Sequence, residues 1–159
     1  MRASPLAAAV FILSVLVIGG ALFFQYAVGL MPCELCLLQR WPWYGAIVLS
    51  GLVLAIGQPA LARPAAFVLT LLFLVSTGFA IYHVGVEQHI FAGPTACTAP
   101  SFAGKSPAEL IKLLQATQPV LCDQVQWSLF GVSLAGFNVI ASIGLLVLCL
   151  IGLRRRSVA

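Results

Sequence analysis

The sequence predicts an all-α integral membrane protein, a four-helix bundle with a short interfacial helix in its second outer loop. The 159 residues are 62% hydrophobic and only 8% charged, which leaves a water-soluble domain too little polar surface. Four stretches lack Asp, Glu, Lys and Arg, and each exceeds the roughly 20 residues that cross a bilayer. These stretches are residues 3–33, 41–62, 64–86 and 124–153.

We place the four helices near residues 8–30, 42–58, 65–83 and 129–152, in a single domain covering residues 1–159. Helices are expected because backbone groups within lipid must pair inside their own segment. The net charge of +4 comes from basic residues at segment ends and forms no basic face. The expected partner surface is therefore the lipid bilayer, and no nucleic acid partner is expected.

The basic residues predict the orientation of the helices. Five of them fall on one side and three on the other, and the richer side is expected to be cytoplasmic. The richer set is Arg2, Arg63 and Arg154–Arg156, and the poorer set is Arg40, Lys105 and Lys112. Both termini are then cytoplasmic, and the first and third connections face outward.

The third connection, residues 84–127, is the only sizeable part expected outside the bilayer. Several Pro-containing turns make much of it irregular. Within it, Ser106-Pro107-Ala108-Glu109 has the pattern of a helix start, with Ser as N-cap, Pro at the first position and Glu at the third. The following apolar residues predict a helix of about ten residues that lies on the membrane surface.

A Cys-x-x-Cys pair, Cys33 and Cys36, opens the second helix on the outer side. Cys36 lies in the first helical turn, where unpaired N–H groups favour a thiolate. Arg40 follows one turn later on the same face, and it can stabilise either that thiolate or a negative oxygen on a carrier molecule. A redox-active dithiol is the main hypothesis. The alternatives are a structural bridge, a zinc site made by all four outer cysteines, and an Arg that only anchors the helix.

Cys97 and Cys122 are the two cysteines of the long outer loop. Two interpretations remain open for them. The first is a structural disulfide that stabilises a poorly packed loop. The second is an exchangeable disulfide presented to another protein, since the sequence around Cys97 lacks bulky cover. Cys149, between two leucines in the last helix, is expected to be a small hydrophobic residue.

Two histidines, His83 and His89, fall near the outer end of the third helix. Either one can donate a hydrogen bond to a carbonyl oxygen of a planar quinone. The aromatic residues near Arg40 are expected to lie at the membrane interface, and one of them can also line a slot for a ring compound. They are Trp41, Trp43 and Tyr44.

Together these features resemble the disulfide bond formation protein B (DsbB) family of bacterial inner membranes. The resemblance covers nearly the whole chain. It rests on the four helices, the Cys33-x-x-Cys36-x-x-x-Arg40 motif, the paired loop cysteines, and Gln126-Trp127-x-x-Phe130-Gly131 at the fourth helix.

The resemblance implies a protein-dithiol:quinone oxidoreductase of the bacterial inner membrane, whose cysteines face the periplasm. A reduced periplasmic thiol oxidase, DsbA-like, is the implied partner, and Cys97 matches the position that forms the mixed disulfide with it. Cys122 matches the loop cysteine that exchanges with Cys33. Cys36 matches the thiolate that contacts ubiquinone or menaquinone, neither of them covalently bound.

The resemblance also implies a quinone-binding role for Arg40, and His89 resembles the histidine near the quinone, with His83 as the alternative. Two other functions remain open from the sequence. One is a quinone or epoxide reductase of the vitamin K type, although that family usually carries its Cys-x-x-Cys on a late helix. The other is a membrane scaffold with structural disulfides. No metal is expected.

Overall fold

The structure is a computed structural model that describes residues 5–94, 106 and 121–155. Its elements are α1 (Pro5–Tyr26), α2 (Glu34–Leu38), α3 (Arg40–Ile56), a 3₁₀ turn (Pro59–Leu61), α4 (Ala62–Glu87), β1 (Ser128–Leu129), β2 (Val132–Ser133) and α5 (Leu134–Arg155). The protein is mostly helical, and the two short antiparallel strands are the departure from the predicted all-α class.

The four long helices pack around a common core. The most extensive contact joins α4 to α5, followed by α1 with α3 and α3 with α4. Three segments are long and apolar enough to cross a membrane, namely Pro5–Tyr26, Pro59–Glu87 and Leu134–Arg154. α3 has 17 residues and is not among them, so its crossing of the bilayer stays a prediction.

The helix bundle has apolar side chains on its surface and polar side chains between its helices, as expected for a protein in lipid. Large hydrophobic side chains are exposed, such as Leu16, Val48 and Ile140. Serine hydroxyls, by contrast, are buried between helices, and those of Ser76 on α4 and Ser142 on α5 lie 2.9 Å apart. Without a hydrophobic driving force between helices in lipid, close packing and such polar contacts hold them together.

Proline and glycine explain where the second and first helices differ from the predicted boundaries. α2 is separated from α3 because Pro42, early in α3, has no N–H to bond to the carbonyl of Leu38 and its ring crowds that carbonyl. α1 ends at Tyr26 rather than near residue 30, and Gly29 then turns the chain with a positive φ of 82°.

The fourth predicted helix starts later than residue 129, because residues 128–133 form the hairpin of β1 and β2. Its two-residue turn, Phe130-Gly131, has positive φ at both positions, 52° and 78°, as tight hairpin turns require. The third predicted helix is longer than expected and runs from Ala62 to Glu87. The predicted interfacial helix lies outside the described residues, apart from Ser106.

Candidate functional site

Cys33 and Cys36 are held together by the start of α2. Cys33 is the N-cap residue, and its Sγ accepts the backbone N–H of Cys36 at 3.3 Å. The two sulfur atoms lie 2.9 Å apart as free cysteines. Cys33 is buried and Cys36 is half-buried. The helix-start N–H group predicted to favour a Cys36 thiolate therefore points at Cys33 instead.

The two thiols have opposite electrostatic preferences. The hydrogen bond from the Cys36 thiol lowers the pKa of Cys33 to about 5, and His83 and the Cys36 backbone N–H also lower it, against the effect of burial. The Cys33 sulfur and burial raise the pKa of Cys36 well above its ordinary value. Two thiolates this close would repel each other, so a single negative charge on the reduced pair is favoured on Cys33 rather than on Cys36.

Cys122 lies next to the pair formed by Cys33 and Cys36. It is buried and disulfide-bonded, and it forms a small apolar cluster with Cys33, Leu35 and Val86. Cys97, the other loop cysteine, lies outside the described residues. Cys33 is thus packed beside the loop cysteine with which, by the resemblance, it is expected to exchange.

His83 and His89 have very different surroundings. His83 is buried, and its Nε2 lies 3.6 Å from the Sγ of Cys33. His89 is exposed beyond the end of α4, with a positive φ of 58°. Because α4 continues to Glu87, His83 stays on its inward face and His89 follows the turn. The structure therefore brings His83, and not the preferred candidate His89, to the cysteines.

A cavity of about 500 Å³ opens beside Cys36, between α1, α3 and α5. We call it the Cys36 cavity. Its walls are mainly apolar, and its polar lining includes Gln39, Arg40 and His83. Trp127, from the motif before the last helix, lines it as well and packs against Phe24 with ring centroids 4.8 Å apart. A mainly apolar cavity with few polar groups is typical of a site for a small organic molecule.

Arg40 lines the Cys36 cavity without a carboxylate partner. Its Nη1 donates to Oε1 of Gln25 on α1 at 2.6 Å. Among the residues that the structure describes, no acidic group lies within ion-pair distance of this guanidinium. A neutral amide holds the side chain in place while its positive charge remains directed to whatever enters the cavity.

Two functional candidates, Gln39 and Asn138, were missed from the sequence. Gln39 is buried between α2 and α3 and contacts His83, while Asn138 on α5 contacts both Gln39 and Trp43. The available signal was that polar residues within membrane-spanning segments are costly and often functional. Of the three aromatic residues near Arg40, only Trp43 lines the cavity, while Trp41 is largely exposed.

The group formed by Cys33, Cys36 and His83 has metal-ligand chemistry, but its geometry does not fit zinc. Two sulfurs on a tetrahedral zinc ion are about 3.7 Å apart, given Zn–S bonds of about 2.3 Å. Here they are 2.9 Å apart. The alternative of a zinc site made by all four outer cysteines also fails, because Cys122 is in a disulfide. The donors suit thiol chemistry better than metal binding.

A helical, membrane-compatible fold with a paired dithiol beside a disulfide-bonded cysteine is typical of a membrane-bound thiol oxidoreductase. Residues 3–152 match the family model for the disulfide bond formation protein DsbB. The chain therefore belongs to the DsbB family, whose members act in disulfide bond formation. Membership favours the thiol-oxidoreductase hypothesis over the vitamin K-type reductase and the scaffold.

Curated relatives carry the same description, disulfide bond formation protein B. The Stutzerimonas stutzeri protein is 31% identical over 152 residues, which cover 92% of each chain. The Aromatoleum aromaticum protein is 29% identical over 77% of this chain and 75% of its own. The Actinobacillus pleuropneumoniae protein is 28% identical over 76% and 69%. No solved structure matches.

Proposed function

We propose that this protein oxidises a periplasmic DsbA-like dithiol protein and passes the electrons to a membrane quinone. The observation that carries the proposal is the position of the dithiol between two different surroundings. Cys33 packs beside the disulfide-bonded Cys122, and Cys36 lines a mainly apolar cavity. One side suits exchange with protein thiols, and the other suits a lipid-soluble acceptor.

Thiol–disulfide exchange connects the two cysteine pairs. The reduced partner attacks the loop disulfide at Cys97 and is released as a disulfide once its second thiol displaces that cysteine. The loop then holds two thiols, and the Cys122 thiolate attacks Cys33 in the Cys33–Cys36 disulfide, so that Cys36 leaves as a thiolate. Cys97 closes the loop disulfide again by displacing Cys33 from Cys122. One dithiol has become a disulfide, and the electron pair is now on Cys33 and Cys36.

The Cys36 cavity fits the ring of a quinone in size and lining. A bound quinone would supply an acceptor for two electrons and two protons, so that Cys33 and Cys36 could return to the disulfide as the quinone is reduced to a quinol. Arg40 is placed to bind a carbonyl oxygen through a charge-assisted hydrogen bond, since Gln25 already fixes its side chain. Trp127 and apolar side chains of α1 line the cavity, and Nε2 of His83 lies near the Cys33 sulfur.

The same proposal sets the protein in the bacterial inner membrane with α3 as a fourth crossing helix. Support comes from the packing of α3 between α1 and α4 and from its exposed apolar residues, such as Val48 and Leu52. Both termini would be cytoplasmic and Cys33 periplasmic. Labelling of intact cells with a membrane-impermeant thiol reagent tests this: a reduced loop labelled only after the inner membrane is opened would contradict it.

Quinone reduction by the purified protein tests the function directly. Full-length protein in detergent micelles receives a short-chain ubiquinone and a reduced DsbA-like protein, and quinone absorbance is followed. We expect reduction with the wild type and none with Cys36→Ser. Cys149→Ser is the matched control, because Cys149 lies in the apolar core and should leave reduction intact. Unchanged absorbance with the wild type, or activity in Cys36→Ser, would refute the proposal.

A further inference from the structure

Behind Cys33, four side chains from three long helices and the α2–α3 junction form a hydrogen-bonded series, here called the polar network. Trp43 Nε1 lies 3.1 Å from Asn138 Oδ1, and Asn138 Nδ2 bonds to Gln39 Oε1. Gln39 Nε2 then lies 2.6 Å from His83 Nδ1. The other ring nitrogen of His83 faces Cys33. The network thus leads from a buried indole to the reactive sulfur.

The direction of every hydrogen bond in the polar network follows from its first member. An indole N–H can only donate, so Asn138 must turn its carbonyl oxygen towards Trp43. The Asn138 amino group therefore faces Gln39 and donates to its carbonyl oxygen. Gln39 in turn has only its amino group left for His83, whose Nδ1 must accept. The ring proton of neutral His83 is therefore on Nε2.

Two serines extend the polar network beyond Asn138. Ser142 Oγ donates to Asn138 Oδ1 at 3.4 Å, and the hydroxyl of Ser76 lies 2.9 Å from that of Ser142. Both acceptor positions of the Asn138 carbonyl are thereby used. Turning this amide over would leave the buried indole N–H of Trp43, which can only donate, facing an amino group and without an acceptor.

We propose that Trp43, Asn138 and Gln39 are positioning residues that hold His83 as the Nε2–H tautomer, so that its ring donates a hydrogen bond to the Cys33 thiolate. None of the three contacts the cysteine. They act through His83, and their effect is to stabilise the reduced, charged form of the pair. A dithiol whose reduced form is stabilised is a stronger oxidant, as a protein that recharges a thiol oxidase must be.

The other titratable groups around Cys33 do not supply this hydrogen bond. On its own element, Cys36 shares its proton with Cys33. On α4, Glu87 acts on Cys36 rather than on Cys33. The guanidinium of Arg40 on α3 is held by Gln25. Four further titratable groups on or near these elements are Glu34, Tyr82, His89 and Asp123, and none of them contributes to the charge preference of Cys33.

The role of the polar network in oxidation rests on the proposed function. The test of the His83 tautomer does not, because it uses reduced full-length protein without quinone or partner. The chain has two histidines, so [¹⁵N]histidine labelling gives two ring spectra, and a His89→Ala variant assigns them. We expect a protonated Nε2 and an unprotonated Nδ1 for His83. A protonated Nδ1 in the wild type would overturn the proposal, whether or not the protein reduces quinone.

Variants remote from Cys33 give the second readout. In Asn138→Leu, Gln39 loses its fixed direction, and we expect both His83 tautomers and a rise of about one pH unit in the midpoint of Cys33 alkylation, which corresponds to a tenfold change. Thr77→Val is the control, since it removes a buried hydroxyl bonded only to its own helix at Phe73. Trp43→Phe keeps an aromatic side chain but removes the indole N–H that bonds to Asn138. It should shift the midpoint in the same direction, so the proposal can still be tested if Asn138→Leu does not fold. An unchanged tautomer and midpoint in a folded Asn138→Leu or Trp43→Phe variant would refute the proposal.

Discussion

Cys33 and Cys149 are both buried, but the surroundings of the two cysteines differ completely. Cys149 packs in the core among apolar side chains such as Val10, Phe73 and Leu145. Cys33 is met by the backbone N–H of Cys36, the thiol of Cys36 and the ring of His83. Burial removes both thiols from water, but only Cys33 has donors that replace the water. The two cysteines therefore differ in the hydrogen-bond donors around the sulfur and not in exposure.

Replacement of Cys33 or of Cys149 by serine should give the largest difference in activity between the two sites. Cys33→Ser removes the sulfur that we propose exchanges with Cys122, so we expect quinone-coupled oxidation of a dithiol protein to fall by at least about a thousandfold, as for loss of a nucleophile. Cys149→Ser should retain turnover. The assay follows quinone absorbance in micelles. Comparable activities for the two variants would contradict the assignment of separate roles.

At pH 6, the alkylation rate of reduced Cys33 should exceed that of an ordinary thiol by a factor of about a hundred or more. Because the pKa of Cys33 is lowered from 9.0 to about 5, its thiolate is lost only as the pH falls through about 5. Its iodoacetamide rate at pH 6 should stay close to its rate at pH 9, whereas an ordinary thiol loses nearly all reactivity over this range. Peptide mapping by mass spectrometry reports each cysteine.

The same shift predicts how the stability of the reduced protein depends on pH. The stabilising contribution of the Cys33 thiolate is fully present above pH 9, and it is lost as the pH falls from there to about 5. Cys33→Ser should lack this dependence in thermal unfolding. A Cys33 alkylation rate that falls tenfold per pH unit below 9 would show that its donors do not stabilise the thiolate.

Removal of the positive charge in the Cys36 cavity should have a smaller, selective effect. Arg40→Leu loses a charge-assisted hydrogen bond, worth about 1.5–3 kcal/mol, and we expect the KM for quinone to rise by about 10- to 100-fold. Arg63→Leu is the control, since Arg63 lies at the opposite end of the helices, beside Arg154. An equal effect of the two substitutions would mean that Arg40 acts only as a membrane anchor.

The helical fold and the reactive cysteines were predictable from local sequence features. Long uncharged stretches predict helices, and Cys33-x-x-Cys36 followed by Arg40 predicts a dithiol at a helix start. The boundaries were less predictable. The hairpin at Phe130 and the break at Pro42 depend on single backbone conformations, which hydropathy does not report.

The partners within the site were the least predictable part. His83 lies on the same inward face of α4 as Leu69, Phe73, Ser76 and Ala80, all buried, and that spacing of three and four residues distinguishes it from His89. Preference for His89 came from the resemblance alone. Gln39 and Asn138 meet across 99 residues of sequence, a contact that only the packing of α5 against the α2–α3 junction creates. No local pattern indicates it.

The smallest expected effect concerns the apolar region around Cys149. Cys149→Ala removes one buried sulfur from the core, and we expect a loss of about 1 kcal/mol in the free energy of unfolding, in the range for deletion of a small buried group. Turnover should not change, because Cys149 is neither a member of the polar network nor a lining residue of the Cys36 cavity. Thermal unfolding in micelles measures the first quantity and quinone reduction the second. Loss of activity without loss of stability would mean that a change at Cys149 affects the dithiol through the packing of the helices. Cys149 would then not be a purely structural residue, which would contradict the contrast drawn between Cys33 and Cys149.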